Sequence, residues 1–431
     1  MQSSDIIIMA ILLGCLISYV PVFLSLFIAS TVGFLFFLNM PLGMMVQTLF
    51  RSVDNFGLIV VLFFVLCGNI MTKGKMVEKL ISFANSMVSW LPGGLGMAGV
   101  IGCGLFGAIS GSTVATVVAL GGFMIPALLR NGYDEDYTVG LMTTSPNLGV
   151  IIPPSISMIF YSMISNVSLE GLFLTGFIPG IIIILCVCIY TYVLYRDRKD
   201  IKRLPRPTLG QMFGIFKEGF WSIMLIVIIF GGIFTGAFTA NEAAVVASVY
   251  AFFVELVIYK SMNFKDVKDV CVSSALTTAT LLLIVACATV FGRYLTFENI
   301  PNRVAELVIG SIHSPWVFLF VMNILLLIVG MFMDIISATL ILGPVFLPLL
   351  SAFNVDPMHF GLLMTVNLAI GYCTPPMGVS LFIVGSMTKK DIIFVTKAAM
   401  PTMIIQISVL FFLTYFPGIV LYLPRLFGYH K

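Results

Sequence analysis

Charge is what this sequence has least of. Of its 431 residues only 10% are Asp, Glu, Lys or Arg, against roughly a quarter in a soluble domain. A soluble chain of this length would fold as two or three domains behind a large polar surface. Its 22 basic and 19 acidic side chains could not cover one. Histidine is equally scarce, and His313, His359 and His430 are too scattered to suggest a metal site. The eight cysteines form no CxxC pair and lie in apolar segments, which reads as structural thiols. No GxxxxGK[ST] loop or Ser–His–Asp order is present, so neither ATP-driven transport nor hydrolytic chemistry is indicated. A net charge of +3, small and dispersed, gives no footprint for nucleic acid. A soluble enzyme is excluded.

Apolar sequence fills the space. Hydrophobic residues make up 60% of the chain, and the runs 6–38, 220–238 and 399–424 approach or exceed the ~20 residues that cross a bilayer. The opening MQSSD lacks a basic region and an A-x-A cleavage site. It reads as a retained first membrane segment rather than a signal peptide.

Helix breakers reveal an internal repeat. One offset of 222 residues aligns Gly121 with Gly343, Pro126 with Pro348, Gly149 with Gly371, Pro153 with Pro375 and Pro154 with Pro376. The same offset aligns Leu141-Met142-Thr143 with Leu363-Met364-Thr365, and Gly14 with Gly236. Two domains follow, 1–205 and 206–431, joined by the basic linker Arg196–Arg206. The first half contains apolar segments at 6–20, 21–38 and 52–72 and an amphipathic stretch near 76–90. An apolar stretch 95–129 broken at its middle, a broken segment 138–164 and a helix 170–195 complete it. The second half repeats this order at 219–238, 241–259, 271–294, 300–312, 316–351, 359–386 and 399–424. Pro21 opens the second segment, and the first two are short for two perpendicular crossings.

The broken stretches carry small or polar centres, SGSTVAT at 110–116 and DIISAT at 334–339. Each could be two crossings or a re-entrant hairpin. At about 1.5 Å per residue an arm spans roughly 25 Å, short of the ~30 Å core, which favours hairpins ending near the midplane. Each half then crosses five times, an odd number, so the second half is inverted. The fold class expected is an all-α polytopic membrane protein with two re-entrant hairpins and two broken helices. With the linker cytoplasmic, all basic residues but Arg51, Arg293, Arg303, Arg425 and Lys431 fall inside, in keeping with the positive-inside rule. Both termini are expected on the periplasmic side.

Interrupted helices survive in lipid only where protein or a cavity satisfies the freed backbone. Here the interruptions come in two pairs, Ser110–Thr113 with Asp334–Ser337 and Gly149–Pro154 with Gly371–Pro376. Such paired breaks point to a secondary transporter's site. Freed carbonyls suit a hard cation such as Na⁺, and half-helix N-termini beside hydroxyls suit a carboxylate. Asp334 is the one carboxylate deep in an apolar context (GMFMDIISATLILG), where it either faces a cavity, caps the next helix, or does both. Glu242 reads as a cap for helix 241–259. Glu255, about one turn from Lys260, reads as a snorkelling side chain. Asp134, Glu135 and Asp136 read as a solvated loop, and 76–90 and 300–312 as interfacial braces.

At these residues the sequence resembles a known family. FGAISGSTVAT (106–116), LRNGYDEDY (129–137), LGVIIPPSISMIFY (148–161), GMFMDIISATLILGPVFLPL (330–349) and IGYCTPPMGVSLF (370–382) resemble the large membrane subunit of tripartite ATP-independent periplasmic (TRAP) transporters, in order and over nearly the whole chain. The resemblance implies a Na⁺-driven importer of small organic acids that works by an elevator movement in the bacterial inner membrane. Its partners would be a small four-helix membrane subunit, expected here as a separate chain, and a periplasmic substrate-binding protein. Carried over, one Na⁺ site would use Gly107, Ser110, Gly149, Ile152 and Pro154, and a second Gly330, Gly371, Thr374 and Met377. Substrate would meet Ser110 or Ser112, Ser155 and Asp334. The alternatives are a stand-alone Na⁺/dicarboxylate symporter that needs no binding protein, and a channel or scaffold, which leaves the symmetric breakers unexplained.

Overall fold

A computed structural model describes residues 3–18, 20–38, 40–198, 201 and 208–430. Most of the basic linker (199–200 and 202–207) and Lys431 lie outside the described residues, which contain helices and no strands. Among the described residues nine helices are long and apolar enough to cross a membrane, or up to ten if the bent pair Glu135–Ile151 and Ile156–Ser165 is one span. The chain is a multi-pass membrane protein.

The helices pack as two groups. One comprises Val22–Val32, Leu42–Val53, Ile59–Lys73, Leu209–Phe234, Ala240–Phe253 and Phe264–Phe297. The other comprises the interrupted elements together with Leu169–Tyr195 and Ile392–Tyr415. Two short amphipathic helices bridge the groups. Met76–Val88 packs on Leu209–Phe234 and on Gly94–Ser110, and Ile300–Ser311 packs on Phe264–Phe297 and Ile335–Ala352.

Both broken apolar stretches fold as antiparallel helix pairs. In the first, Gly94–Ser110 turns at Gly111, whose φ of +60° suits glycine, into Thr113–Thr116 and its continuation to Arg130. The arms touch side by side: a Cβ on Gly102 would meet Leu120, and one on Gly99 would meet Met124. In the second, Pro315–Phe332 and Ile335–Ala352 flank Met333 and Asp334, and Phe318 stacks on Phe353 at 4.4 Å. The following elements break at cis bonds, Pro153–Pro154 and Pro375–Pro376. Proline's missing N–H ends each helix there.

Several boundaries differ from expectation. The helix Leu42–Val53 stands ahead of the segment expected at 52–72; with Gln47 and Arg51 on it, an apolar scan passes it over. The segment expected at 271–294 is the 34-residue helix Phe264–Phe297, whose charged first turn is set by a capping box between Asn263 and Asp266. Gly14 lies inside Ser3–Ile17, whereas Gly236 (φ +73°) lies in the turn after Leu209–Phe234, so these two are not equivalent.

The carboxylates bring two corrections and one agreement. Glu255 does not snorkel: it is fully buried and accepts hydrogen bonds from the backbone N–H of Lys75 (3.0 Å) and Met76 (2.8 Å) and from the Ser261 hydroxyl. A carboxylate at the start of Met76–Val88 satisfies otherwise orphaned donors and faces the positive end of the helix, which outweighs an exposed pairing with Lys260. Asp134 to Asp136 are solvent-exposed as read, but they open a helix rather than form a loop. Asp134 is the N-cap residue of Glu135–Thr144 and accepts from Arg198 at 2.7 Å, while Glu135 pairs with Lys390 at 2.9 Å. Glu242 behaves as read, as the N3 member of a capping box with Thr239. Two further ion pairs, Lys73–Asp266 and Lys79–Glu218, join helices at positions that the charge pattern assigns to one face.

Candidate functional site: paired interruptions lined with oxygen

The first interruption is built on a backbone contact. A Cβ placed on Gly107 would lie 2.5 Å from Gly149 Cα, so the first hairpin arm and the broken helix touch with no side chain between them. On its other side Gly149 meets the hairpin's return strand of chain. A Cβ there would lie 2.5 Å from Thr116 Oγ1 and 2.9 Å from the Ser112 carbonyl oxygen. Only glycine permits that approach, and it exposes oxygen atoms where a side chain would cover them.

The expected residues gather here. Ser110 is buried, with its hydroxyl 3.3 Å from Thr116 Oγ1. Ser112 is the N-cap of Thr113–Thr116, accepting from the Ala115 N–H at 3.3 Å. The Gly111 carbonyl accepts from the Ile156 N–H at 3.3 Å, tying the hairpin tip to the second half of the broken helix. Ile152 closes Leu148–Ile151 in extended conformation ahead of Pro153 and Pro154. Ser155 is fully buried, 2.9 Å from Ser157 Oγ, and does not cap the helix it precedes.

The second interruption repeats the plan. A Cβ on Gly371 would lie 2.5 Å from Gly330 Cα. Asp334 is the N-cap of Ile335–Ala352, Oδ2 accepting from the Ser337 N–H at 2.9 Å, and stands 222 positions after Ser112. Its carboxylate is half-buried, and its other oxygen takes no hydrogen bond from the described residues. Tyr372 OH accepts from the Ile335 N–H at 3.2 Å, and the Met331 carbonyl accepts from the Met377 N–H at 3.3 Å. Thr374 donates to the Ile370 carbonyl at 3.0 Å. The two sites differ in exposure. Pro153 and Pro154 are buried, whereas Pro375, Pro376 and Met377 are exposed. Met377 therefore reaches the cluster through its backbone, with its side chain turned out.

The donor chemistry suits a hard monovalent cation. Among the described residues no three His, Cys, Asp or Glu side chains gather as a metal site; the oxygens at the interruptions are backbone carbonyls and hydroxyls, with Asp334 the carboxylate at the second. Thr113 Oγ1 in the first cluster and Ser337 Oγ in the second are buried without a hydrogen-bond partner. Each is free to contact a water or an ion.

Sequence reasoning missed the polar side chains behind these tips. Asn147 donates to Gln406 at 2.9 Å and to the Cys373 sulfur at 3.3 Å, joining the first broken helix to the second. Gln406 donates to the Thr144 carbonyl at 2.9 Å, and Thr144 to Thr402 at 2.8 Å. Asn367 donates to Asn323 at 2.8 Å, and Asn323 to Thr414 at 2.8 Å. Isolated amides in apolar spans were the available signal.

Comparison with known proteins decides the family. Residues 9–419 match the family described as "Tripartite ATP-independent periplasmic transporter, DctM component". The chain belongs to that family. It is 37% identical, over 99% of its length and 100% of the relative's, to the C4-dicarboxylate TRAP transporter large permease protein DctM of Rhodobacter capsulatus. To the sialic acid TRAP transporter large permease protein SiaM of Vibrio cholerae it is 34% identical over 97% of the chain and 98% of the relative. Among solved structures, the YdaH transporter of Alcanivorax borkumensis matches the fold with a TM-score of 0.63 at 14% identity, over 88% of this chain and 89% of that one. As a TRAP large permease the chain is a transport protein and not an enzyme. The paired interruptions therefore belong to a permease.

Proposed function

We propose that this chain is the membrane-embedded transport subunit of a Na⁺-coupled secondary importer of small organic acids, resident in the bacterial inner membrane with both termini periplasmic. A periplasmic binding protein delivers the substrate, and a small four-helix membrane subunit assembles with the chain. The observation that carries this reading is the doubled glycine contact, Gly107 with Gly149 and Gly330 with Gly371. Each contact is overlaid by a capped hairpin tip and bordered by an unpartnered buried hydroxyl.

Na⁺ binds among the oxygens of Gly107, Ser110, Gly149, Ile152 and Pro154, and again around Gly330, Gly371, Thr374 and Met377. Substrate lies between the tips against Ser110, Ser112, Ser155 and Asp334. Ordering of the freed carbonyls by Na⁺ raises substrate affinity, and linkage makes the effect mutual, typically about 1–3 kcal/mol. The recurrence of helix order and breaks at an offset near 222 supports duplication, and the segregation of basic residues supports inversion. The interrupted elements move together with Leu169–Tyr195 and Ile392–Tyr415, as an elevator, against the first group of helices, with Met76–Val88 and Ile300–Ser311 as the connecting braces. Relatives are named for C4-dicarboxylates, sialic acid, isethionate and ectoine. The first three are acids, which supports an acidic substrate.

The test is counterflow by the chain reconstituted with its small subunit and binding protein, on a panel of C4-dicarboxylates, sialic acids and sulfonates. Saturable, Na⁺-dependent exchange of one class supports the proposal, and flux without saturation rejects it.

A further inference from the structure

A crevice of about 420 Å³ runs between the two groups of helices, away from the hairpin tips. One wall is Leu42–Val53 and the end of Phe264–Phe297, the other Ile156–Ser165 and Ile335–Ala352. Thr48, Arg51 and Ser52 line it from Leu42–Val53, with Asn55 just beyond that helix, and Thr289, Arg293 and Thr296 line it from Phe264–Phe297 together with Val285, Ala288 and Gly292. The opposite wall, including Met163 and Leu340, is mainly apolar.

The crevice holds two guanidinium groups and no carboxylate among its lining residues. Arg293 donates to Thr48 Oγ1 at 3.2 Å, which aims its head into the space, and Arg51 has no hydrogen-bond partner among the described residues. Only five basic residues fall off the Lys-rich face, and two of them meet here. Both arginines are exposed, so a dissolved anion can reach them, and planar guanidinium forks match a carboxylate in two-point contact. The cavity falls within the usual range for small-molecule sites, about 300–1,000 Å³.

We propose that this crevice is a carboxylate-binding subsite, in which Arg51 and Arg293 hold the acidic group of a small organic acid while its carbon skeleton rests on the apolar wall. It lies across the seam between scaffold and interrupted elements, on the side from which substrate enters. The proposal rests on the importer reading for the identity of its ligand, but its charge selectivity is measurable without transport.

The test uses the full chain in phosphatidylcholine nanodiscs, with the exposed Cys271 replaced by Ser and Thr289→Cys as reporter. Labelling rates are compared for an anionic (sulfonatoethyl) and a cationic (trimethylammonioethyl) methanethiosulfonate. The anionic reagent is expected to react faster, and Arg51→Gln with Arg293→Gln to lower the anionic-to-cationic ratio about tenfold. Succinate, N-acetylneuraminate or isethionate at millimolar concentration should slow labelling, and the paired Arg→Lys variant should keep the charge preference. A ratio unchanged by the double Gln variant overturns the subsite. So does protection by none of the three acids, or by added phosphatidylglycerol alone, which would assign the arginines to a lipid headgroup. If uptake fails while the charge preference and acid protection hold, the importer reading falls and the anion site stands.

Discussion

Asp334 has one task that the structure shows and a second that is proposed for it, and one substitution can separate them. As an N-cap it supplies an acceptor to the Ser337 N–H, a role that Asn fills nearly as well and whose loss to Ala costs about 1 kcal/mol. In the proposed role, as a charge beside the substrate, it has no neutral equivalent. Asp334→Asn is therefore expected to keep its melting temperature within a few degrees yet lose at least tenfold in uptake, and Asp334→Ala to lose both. Near-normal uptake by Asp334→Asn would reduce the residue to a cap. Glu255 makes the converse case. In Glu255→Ala the Lys75 and Met76 N–H groups lose their acceptor, a cost of about 1–3 kcal/mol each when buried, so thermal unfolding in detergent should fall clearly, and less so for Glu255→Gln. The lone acid in GMFMDIISATLILG was legible because nothing around it could share its charge. The role of Glu255 was not, since its partners lie 180 and 179 positions away and the nearby Lys260 offered a simpler local pairing.

Among elements, the glycine contacts are the exposed points of the design. A methyl at Gly149 would have to share space with Thr116 Oγ1 and the Ser112 carbonyl, and one at Gly371 with the Gly330 backbone. Neither neighbour is the end of a flexible side chain. Gly149→Ala and Gly371→Ala are expected to raise the Na⁺ concentration needed for half-maximal uptake by tenfold or more. Gly122→Ala, at a site with open space around its Cβ, should leave it unchanged. Equal effects at all three would show a general sensitivity of the helices. The breaks themselves were readable from Gly and Pro, because those residues act on the backbone that carries them. Which break touches which was not: Gly107 is one glycine among several in GLGMAGVIGCGLFG, and only packing distinguishes it. The helix Leu42–Val53 was hidden for a related reason, its polar face being spent on the crevice rather than on lipid.

Across the whole molecule, the sparse charges and the paired breaks answer different questions. The basic residues give orientation: an alkaline phosphatase fused after His430 should be active and a green fluorescent protein fused there dark, if the C-terminus is periplasmic. The reverse pattern would invert the topology and move the crevice of Arg51 and Arg293 to the cytoplasmic side. The multi-pass helical class and the family resemblance were legible in sequence because they rest on composition and contiguous motifs. The buried hydrogen bonds of Asn147 with Gln406 and of Asn367 with Asn323 were not, since they join helices far apart in the chain. The central claim, that the oxygen-lined interruptions couple Na⁺ to an acid, is tested most directly by uptake into proteoliposomes containing the chain and its small subunit. Binding protein is supplied outside, with and without an inward Na⁺ gradient. Uptake is expected only with both gradient and binding protein, and Gly149→Ala should need more Na⁺; accumulation that persists unchanged without the gradient would contradict the account.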